Sequence, residues 1–294
     1  MCTVFTCRNV LKMSAKCGHL AINGIFINKK VYETMKTMLD LMVTSNEELN
    51  DSNFLMKLTT QDGSALPEML PGQFVQVKVD GSPSTFLRRP ISINFWDEQK
   101  NELWLLIQAV GDGTRRMSEY KAGDKMNLLL PLGNSFTIPQ APAGERLLLV
   151  GGGVGTAPLL FLGACLKEQG FAPMFLLGAR SKKDLLERDL FEHYGAVYCT
   201  TEDGSYGEKG YVTDHSILDT PTFTTIYTCG PKPMMVAVAK YAHAHGINCE
   251  ASLENLMACG FGVCLCCVEN TVDGNICVCE QGPVMNIKQL KWVA

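Results

Sequence analysis

Six cysteines lie within residues 259 to 279 of a chain of 294 residues, and three of them have the spacing C-x4-C-x2-C. The thiols at this spacing are Cys259, Cys264 and Cys267. Plant-type [2Fe-2S] clusters are held in this way, because three thiolates come from one loop around the inorganic core and a fourth reaches in from a neighbouring strand. Zinc sites more often use paired C-x2-C units. The spacing therefore favours a [2Fe-2S] cluster, with zinc and unligated or disulfide-bonded cysteines as alternatives.

The fourth ligand is open between Cys277 and Cys279, because residues two apart in an extended segment face the same side. A Glu-Gln-Gly-Pro turn follows Cys279 and would fix its position, which favours Cys279. Cys266 would point away from a metal held by its neighbour Cys267, so we expect it to be a packing residue. The glycines at 260 and 262 would let backbone N–H groups approach the cluster sulfurs closely.

The composition is that of a globular chain, with 46% hydrophobic residues and a length that fits about two domains and a small third. The net charge of −4 and the lack of a basic stripe argue against a nucleic-acid partner. No run of about 18 apolar residues is present to cross a bilayer. The cysteines outside the crowded segment are scattered, which fits free thiols in a reducing cytoplasm.

Residues 1 to 37 show no clear periodicity and no signal-peptide pattern, because their basic residues are interspersed and no apolar core follows them. Two explanations stay open for this extension. It is either disordered, or translation starts at Met35 or Met38. A convincing strand is predicted only from Met38 onwards.

Residues 38 to 142 contain short strand-like runs separated by Pro-Gly and Asp-Gly turns, which predicts a small antiparallel β-barrel. In residues 88–92 (Arg-Arg-Pro-Ile-Ser), an arginine can pair with a phosphate and the serine can bond a ring edge. In residues 111–114, glycines lead into a predicted helix start with a threonine cap, and the free N–H groups there favour a pyrophosphate. Taken singly, the first motif is more often a strand end and the second a turn.

Residues 143 to 250 alternate predicted strands with helices, the pattern of a doubly wound parallel sheet. The helices are predicted at residues 156–167, 183–193 and 232–245. A glycine turn joins the first strand to the first helix, where backbone amides favour a phosphate. The turn contains Gly151, Gly152, Gly153, Gly155 and Thr156. Because it is not the full G-x-G-x-x-G fingerprint, a tight structural turn stays the alternative. A second sequence, Cys229-Gly230-Pro231, ends a strand on the edge where such sheets bind ligands.

The barrel motifs, the glycine turn, the Cys-Gly-Pro sequence and the cysteine tail together resemble the ferredoxin-reductase superfamily. Within it, residues from about 38 to 294 are similar to the electron-transfer subunits of NAD-dependent (class 1B) dihydroorotate dehydrogenase. The phrases that carry this likeness are Pro-Gly-Gln-Phe-Val (71–75), Arg-Pro-Ile-Ser (89–92), Thr-Glu-Asp-Gly-Ser (201–205), Met-Ala-Cys-Gly (257–260) and Gly-Pro-Val (282–284). The resemblance implies an α+β multidomain chain with an extension (1–37), an FAD-binding antiparallel β-barrel (38–142), a doubly wound parallel NAD-binding domain (143–250) and a small C-terminal [2Fe-2S] subdomain (251–294).

The resemblance also assigns cofactor residues. FAD would be bound by Arg89, Pro90, Ile91, Ser92, Gly113 and Thr114, and the flavin would be lined by Leu106, Ile107 and Gln108. The cluster would be held by Cys259, Cys264, Cys267 and Cys279. Ile91 departs from the aromatic residue that plain ferredoxin reductases usually have in this motif. NAD rather than NADP follows from the resemblance alone, because a basic group after the second strand could bind a 2′-phosphate. This group is Arg180, Lys182 and Lys183.

The implied function is to join dihydroorotate oxidation to NAD⁺ reduction in cytoplasmic pyrimidine synthesis. The implied partner is an FMN-containing catalytic subunit, in a heterotetramer with two copies of each chain. Electrons from that FMN would cross the cluster to FAD, which converts single electrons into a hydride. No side chain need act as acid or base, and Cys229 either borders the nicotinamide or simply packs. Two other functions stay open: an NAD(P)H:acceptor reductase of the ferredoxin-NADP transhydrogenase or sulfite reductase type, and a redox sensor without turnover.

Overall fold

Alternating apolar residues in the first half of the chain form the strands of one antiparallel sheet. In the computed structural model, which describes residues 36–293, these strands are β1 (Thr37–Asn50), β2 (Asn53–Thr60), β3 (Phe74–Val77), β4 (Arg89–Ser92), β5 (Phe95–Asp97), β6 (Glu102–Gln108) and β7 (Lys125–Leu132), with helix α1 (Asp112–Ser118) before β7. Their order is β4-β3-β7-β1-β2-β6-β5. The predicted extension 1–37 lies outside the described residues apart from its last two positions.

The sheet curls around a single core. Leu41 in β1 and Leu103 in β6 are fully buried there. Ile91 of β4 and Phe95 of β5 pack against the same core, although these strands are at opposite ends of the strand order. Each fully buried leucine contributes about 2 kcal/mol, so the inward row of each strand fixes its register. The predicted antiparallel barrel architecture is confirmed.

The middle of the chain forms a second seven-stranded sheet. Its elements are β8 (Leu147–Gly152), α2 (Ala157–Glu168), β9 (Met174–Ala179), α3 (Arg188–Glu192), β10 (Ala196–Thr201), β11 (Glu208–Lys209), β12 (Thr225–Cys229), α4 (Lys232–Ala244) and β13 (Asn248–Ser252). Single turns of 3-10 helix cover Gly153–Thr156, Lys182–Asp184, Val212–Asp214 and Ser216–Leu218. The strands from β8 to β13 run parallel in the order β11-β10-β9-β8-β12-β13.

Helices cover both faces of this parallel sheet. Leu162 of α2 packs with Leu149 on one face, and Val238 of α4 packs with Val150 on the other. The strand order reverses between β8 and β12, which places a crevice at their carboxyl ends. The predicted doubly wound architecture is confirmed.

The helix predicted at residues 183–193 is wrong over its first half, because only α3 is α-helical there. Glu187 precedes α3 in a left-handed backbone conformation with φ of 52°. A helix cannot run through a left-handed residue, so the segment splits into a 3-10 turn and a short α-helix. The helices predicted at 156–167 and 232–245 are confirmed as α2 and α4.

The C-terminal segment leaves the second sheet and returns to it. After β13 come β14 (Val268–Thr271), β15 (Gly274–Cys277), α5 (Val278–Gln281), β16 (Val284–Asn286) and a 3-10 turn (Ile287–Gln289). Strands β14 and β15 form a hairpin, and β16 pairs antiparallel with β13 at the sheet edge. The cysteine-rich loop is therefore fastened at both ends. Among the helices of residues 36–293, none is both long enough and apolar enough to span a membrane.

Candidate functional site

The cysteine-rich loop turns its backbone N–H groups towards sulfur. Gly260 and Gly262 have left-handed φ values of 82° and 76°, a conformation that favours glycine. The N–H of Phe261 donates to Sγ of Cys259 at 3.5 Å, and the N–H of Gly262 donates to Sγ of Cys279 at 3.1 Å. The glycines thus perform the role expected of them, since they bring donors to two of the predicted ligand sulfurs.

The second half of the segment closes over this loop. Cys267 and Cys279 are almost fully buried, and the N–H of Cys279 donates to Sγ of Cys267 at 3.4 Å. Cys264 is exposed and lies beside Cys259, with which it shares a hydrogen bond. The structure therefore brings the four predicted ligands together in one segment.

Two other cysteines lie in the same segment. The thiol of Cys277 lies 3.8 Å from the carbonyl oxygen of Gly262, within reach of a weak S–H···O bond. Cys266 is exposed, so our interpretation of it as a packing residue is wrong. Its neighbour Cys267, in the same turn before β14, takes the buried position instead.

The thiols differ in how readily they ionise. Burial acts to raise the pKa of Cys259, but hydrogen bonds from Phe261 and Cys264 outweigh it and lower this pKa to about 6. Burial and a hydrogen bond with Cys267 raise the pKa of Cys279 to about 12. Since iron binds thiolates, Cys259 is prepared for ligation, whereas ligation must itself displace the proton of Cys279.

The donor set fits an iron–sulfur cluster. Four cysteine thiols, three of which accept hydrogen bonds from amide N–H groups, supply the ligands and sulfur hydrogen bonds that such clusters use. Within the described part of the chain, no three histidine, cysteine or acidic side chains are close enough together to hold a single metal ion. The fit rests on the chemistry of the thiols and on the amides that face them.

The predicted FAD residues lie on edge strand β4 and at the start of α1. Arg89, Pro90, Ile91 and Ser92 form β4, and all four are half-buried. A Cβ atom at Gly113 would lie 3.1 Å from Nε of Arg89, so the glycine gives the guanidinium room at the helix start. The structure thus brings the two motifs together.

Thr114 is the third residue of α1, and the N-cap is Gly111, so the expectation of a threonine cap is wrong. The Thr114 hydroxyl still accepts hydrogen bonds from the N–H groups of Val110 and Gly111, at 3.0 and 3.1 Å. The Thr114 side chain therefore fixes the loop that precedes α1. This leaves the hydroxyl engaged within the protein.

The predicted flavin-lining strand turns its three side chains in different directions. Leu106 packs against Ala157 of the second sheet's first helix, and Ile107 packs into the barrel core. Gln108 opens into a large cavity. Only the backbone of Leu106 and Ile107 is therefore left to face a ligand.

A buried amide without a partner lies between the FAD strand and the cysteine loop. Gln76 in β3 pairs with Pro90 of β4, is fully buried, and has no hydrogen-bond partner for either amide atom. On its other side, a Cβ atom at Gly260 would lie 2.8 Å from Cγ of Gln76. Buried polar groups are rarely left unpaired, so this position fits a site completed by bound groups. Gln76 could not be found from the sequence, because no local pattern marks it.

A cavity of about 590 Å³ opens at the carboxyl ends of the parallel strands. Gly152, Gly153, Gly155 and Gly230 line it, together with Gln108 of the barrel. A Cβ atom at Gly155 would lie 2.3 Å from Cα of Gly230, so the two loops approach as closely as only glycine allows. The predicted glycines thus form one wall at the topological switch point.

Other predicted residues lie behind this wall. Thr156 is buried and its hydroxyl donates to the carbonyl of Gly153 at 3.0 Å, while Gly151 packs against Thr156. Cys229 is almost fully buried, and burial raises its pKa well above the usual value. These three residues shape the loops and do not line the cavity.

Two polar residues in the cavity were missed by sequence reasoning. Thr200 at the end of β10 has a buried hydroxyl without a partner, which fits a hydrogen bond to a bound ligand. Glu254 lines the cavity near Cys229, and burial raises its pKa. Thr200 and Glu254 are distant in the chain, so only the order of the strands in the sheet could have shown that they line one cavity.

A buried carboxyl lies where the barrel meets the α/β domain. Oε1 of Glu187 accepts a hydrogen bond from Nδ2 of Asn94 at 2.9 Å, and its other oxygen has no partner. Burial raises the pKa of Glu187 to about 7, although the bond from Asn94 and the charge of Lys57 act in the opposite direction. With a pKa of about 7, the Glu187 carboxyl gains or loses its proton close to neutral pH.

Replacing Glu187 by Gln should stabilise the protein most at high pH. Between the ordinary pKa of 4.5 and the raised pKa of about 7, the folded state binds more protons than the unfolded state, so stability falls as pH rises. Glutamine can keep the hydrogen bond from Asn94 and does not ionise. We therefore expect the free energy of unfolding to rise by about 3 kcal/mol at pH 8 and by about 1 kcal/mol at pH 5. Melting temperatures of both proteins at the two pH values measure it. The exposed Glu98→Gln variant is the control, and an equal gain at both pH values would contradict the account.

Two family models match this chain. An iron–sulfur cluster binding domain of dihydroorotate dehydrogenase B matches residues 254–291, the segment between β13 and the end of the chain that holds the cysteines. An oxidoreductase NAD-binding domain matches residues 149–240, which include the glycine wall of the cavity. Both matches agree with the geometry of their segments.

Solved structures share the fold. A structure of an NADH-dependent reduced ferredoxin-NADP oxidoreductase, described for flavin-based electron bifurcation, aligns with a TM-score of 0.76 and 28% identity over 86% of this chain and 90% of that chain. The ferredoxin reductase in carbazole 1,9a-dioxygenase aligns with a TM-score of 0.61 and 23% identity over 72% of this chain and 67% of that chain, which shows the fold alone.

Curated relatives cover most of the described chain. The dihydroorotate dehydrogenase B (NAD(+)) electron transfer subunit of Shouchella clausii is 39% identical over 75% of this chain and 86% of the relative. Those of Bacillus velezensis and Listeria monocytogenes are 37% and 38% identical, over 85% and 86% of this chain and 97% and 98% of the relatives. At this identity and coverage, together with the cysteine segment and the glycine-walled cavity, the chain belongs to the family of electron transfer subunits of dihydroorotate dehydrogenase B.

Proposed function

We propose that this chain takes electrons from an FMN-containing subunit that oxidises dihydroorotate and delivers them to NAD⁺. The observation that carries the proposal is the cysteine loop, whose amides face the thiols and whose Gly260 packs on Gln76 beside strand β4. A one-electron site and the predicted flavin strand are therefore neighbours. When bound, the cluster supplies single-electron transfer and the FAD supplies hydride transfer.

The residues of this chain hold and orient these groups. Cys259, Cys264, Cys267 and Cys279 would hold the cluster. Arg89, Pro90, Ile91, Ser92, Gly113 and Thr114 would hold FAD, with the strand Leu106, Ile107 and Gln108 beside the flavin. Gly151, Gly152, Gly153, Gly155, Thr156, Cys229 and Gly230 would form the loops around NAD. The segments 38–142, 143–250 and 251–294 would be the FAD, NAD and cluster domains.

In the proposed NAD site, glycines keep side chains out of the cavity wall. Gly155 lets its loop approach the backbone of Gly230, Gly152 leaves room for the Met234 side chain, and a Cβ atom at Gly153 would have open space within 4 Å. Thr200 has a free hydroxyl for the dinucleotide, and Glu254 offers a carboxyl oxygen to an amide donor. No side chain need transfer a proton, because the hydride moves directly between ring systems.

An apolar rim around the cysteine loop is the proposed docking face for the FMN subunit. The rim consists of Leu256, Phe261, Val263 and Leu265, which are 84%, 46%, 76% and 63% exposed. Several exposed apolar side chains in one segment are typical of an interaction surface. Docking there would place a partner's flavin next to the cluster, and two copies of each subunit would form the complex.

Replacing Val263 by Lys should weaken this complex by at least ~10-fold in Kd, since a charge in the buried centre of an interface is costly. Iron content should stay unchanged, because the Val263 side chain is exposed. Val110 is exposed to a similar degree on the barrel, and Val110→Lys is the matched control. Surface plasmon resonance with increasing concentrations of the catalytic subunit measures the Kd of both variants. Equal affinities for the Val263 and Val110 variants would count against this docking face.

A second candidate is the NAD(P)H-binding subunit of a ferredoxin-NADP oxidoreductase, because a structure of that class is 28% identical over 86% of this chain. The two functions differ in the partner and not in the modules. Co-purification of the native complex separates them. A partner that oxidises dihydroorotate and contains FMN supports the first function, whereas a partner that reacts with ferredoxin supports the second.

A further inference from the structure

The cysteine segment holds two thiols, Cys266 and Cys277, beyond the four predicted ligands of a [2Fe-2S] cluster. We propose that Cys277 is a reserve ligand, which binds the cluster iron when Cys279 is unavailable. The inference rests on the proposed cluster site and goes beyond it, since it assigns a function to a thiol outside the four predicted ligands.

Cys277 and Cys279 lie against the same residue of the loop. The N–H of Gly262 donates to Sγ of Cys279 at 3.1 Å, and the carbonyl oxygen of Gly262 lies 3.8 Å from Sγ of Cys277. The two sulfurs thus flank a single residue. The proposed exchange of one sulfur for the other would therefore take place across one residue of the loop.

The elements that carry the two cysteines allow this exchange. Cys277 ends β15, where it pairs with Val268, next to the buried ligand Cys267. Cys279 stands two residues further on, inside α5. Strand β15 pairs with β14 alone, and beyond that pairing the end of β15 is held by the hydrogen bond from the N–H of Cys277 to Oε1 of Gln281.

The difference in burial explains which cysteine is resident and which is held in reserve. Cys279 is fully enclosed, whereas Cys277 is half-buried. An enclosed ligand excludes water from the iron, which favours Cys279 at rest. The exchange is balanced, because one iron–thiolate bond breaks and another forms, and the released thiolate takes up the proton that the incoming thiol gives up.

Two other thiols, one in the cysteine segment and one in β13, are not placed to bind the cluster in this way. Cys266 is exposed on the opposite side of the segment from its buried neighbour Cys267. Cys249 lies in β13, fully buried within the core of the second sheet. Cys277 is therefore the surplus thiol that contacts the cysteine loop in the described residues.

The test compares Cys279→Ala, Cys277→Ala and the double variant in the full chain, since alanine offers no ligand atom. We expect Cys279→Ala to keep at least about half of the wild-type iron and sulfide with a changed electron paramagnetic resonance spectrum. Cys277→Ala should keep the wild-type spectrum, and the double variant should keep less than about a tenth of the iron. A Cys279→Ala protein as empty of iron as the double variant, with normal FAD content, would overturn the reserve role. So would loss of the cluster from Cys277→Ala alone.

Alkylation supplies a second measurement should Cys279→Ala bind FAD poorly. In the wild-type protein with its cluster, iodoacetamide should modify Cys277 and leave the cluster intact. In Cys279→Ala, the same reagent should leave Cys277 unmodified until the iron is chelated. Modification of Cys277 at equal rates in the two proteins would overturn the proposal. A wild-type chain that binds no iron would instead refute the cluster site itself, so the two failures are distinguishable.

Discussion

Replacing Cys264 by Ser is expected to remove the cluster and with it the transfer of electrons to the catalytic partner. Cys264 is exposed, so the fold loses no packing, and the thiolate ligand is exchanged for a protonated hydroxyl that binds iron far more weakly. Iron should fall from about two atoms per chain to near zero, and transfer to the partner should fall at least ~100-fold. Reduction of an artificial acceptor by NADH should stay within about 2-fold, because it needs only the FAD and NAD sites.

Cys266→Ser is the matched control for this variant. Cys266 is two residues from Cys264 and is also exposed, but it belongs to no predicted ligand set. It should keep its iron and its full rate with the partner. Equal loss in the two variants would mean that the loop, and not the ligand, is responsible.

Replacing Gly155 by Ala is expected to disable the NAD site while the other two cofactors remain. The new Cβ atom would lie 2.3 Å from Cα and 2.6 Å from N of Gly230, and backbone atoms cannot move aside as a flexible side chain can. The two loops must separate, which distorts the cavity wall at its narrowest point. We expect kcat/KM for NADH to fall at least ~100-fold, about 3 kcal/mol of lost transition-state stabilisation.

Steady-state reduction of ferricyanide by NADH measures this loss, and absorbance with iron analysis verifies that flavin and cluster stay bound. Gly111→Ala is the control, because Gly111 has an extended backbone and open space within 4 Å of the added Cβ. A Gly155→Ala protein with a normal KM for NADH would exclude the glycine wall as the dinucleotide site.

The parts of the site that sequence predicted well are those with local chemical requirements. The ligand cysteines could be predicted from the sequence of one loop, because ligands must stand at fixed intervals in it. The same holds for Gly260 and Gly262, because the close approach of the backbone requires glycine at these positions. The glycine turn before α2 was predictable for the same reason, since a strand, a turn and a helix follow each other directly.

The features that were missed depend on distant partners. Gln76 matters because Gly260, 184 positions away, packs on it, and no pattern around Gln76 announces this. The helix predicted at 183–193 begins only at Arg188, because Glu187 before it has a left-handed backbone and its carboxyl accepts a hydrogen bond from Asn94 of the barrel. Cys266 was expected to pack, but only the folded segment determines that Cys267 takes the inner position. In each case a tertiary contact overrode the local pattern.

The central claim is that the thiol-held cluster and the glycine-walled cavity of one chain exchange electrons. Its most direct test is to add NADH anaerobically to the purified chain and record the electron paramagnetic resonance spectrum at low temperature. The account predicts a reduced iron–sulfur signal in the wild type that is absent in Cys264→Ser and strongly reduced in Gly155→Ala. A wild-type chain that shows the signal with dithionite but never with NADH would contradict it.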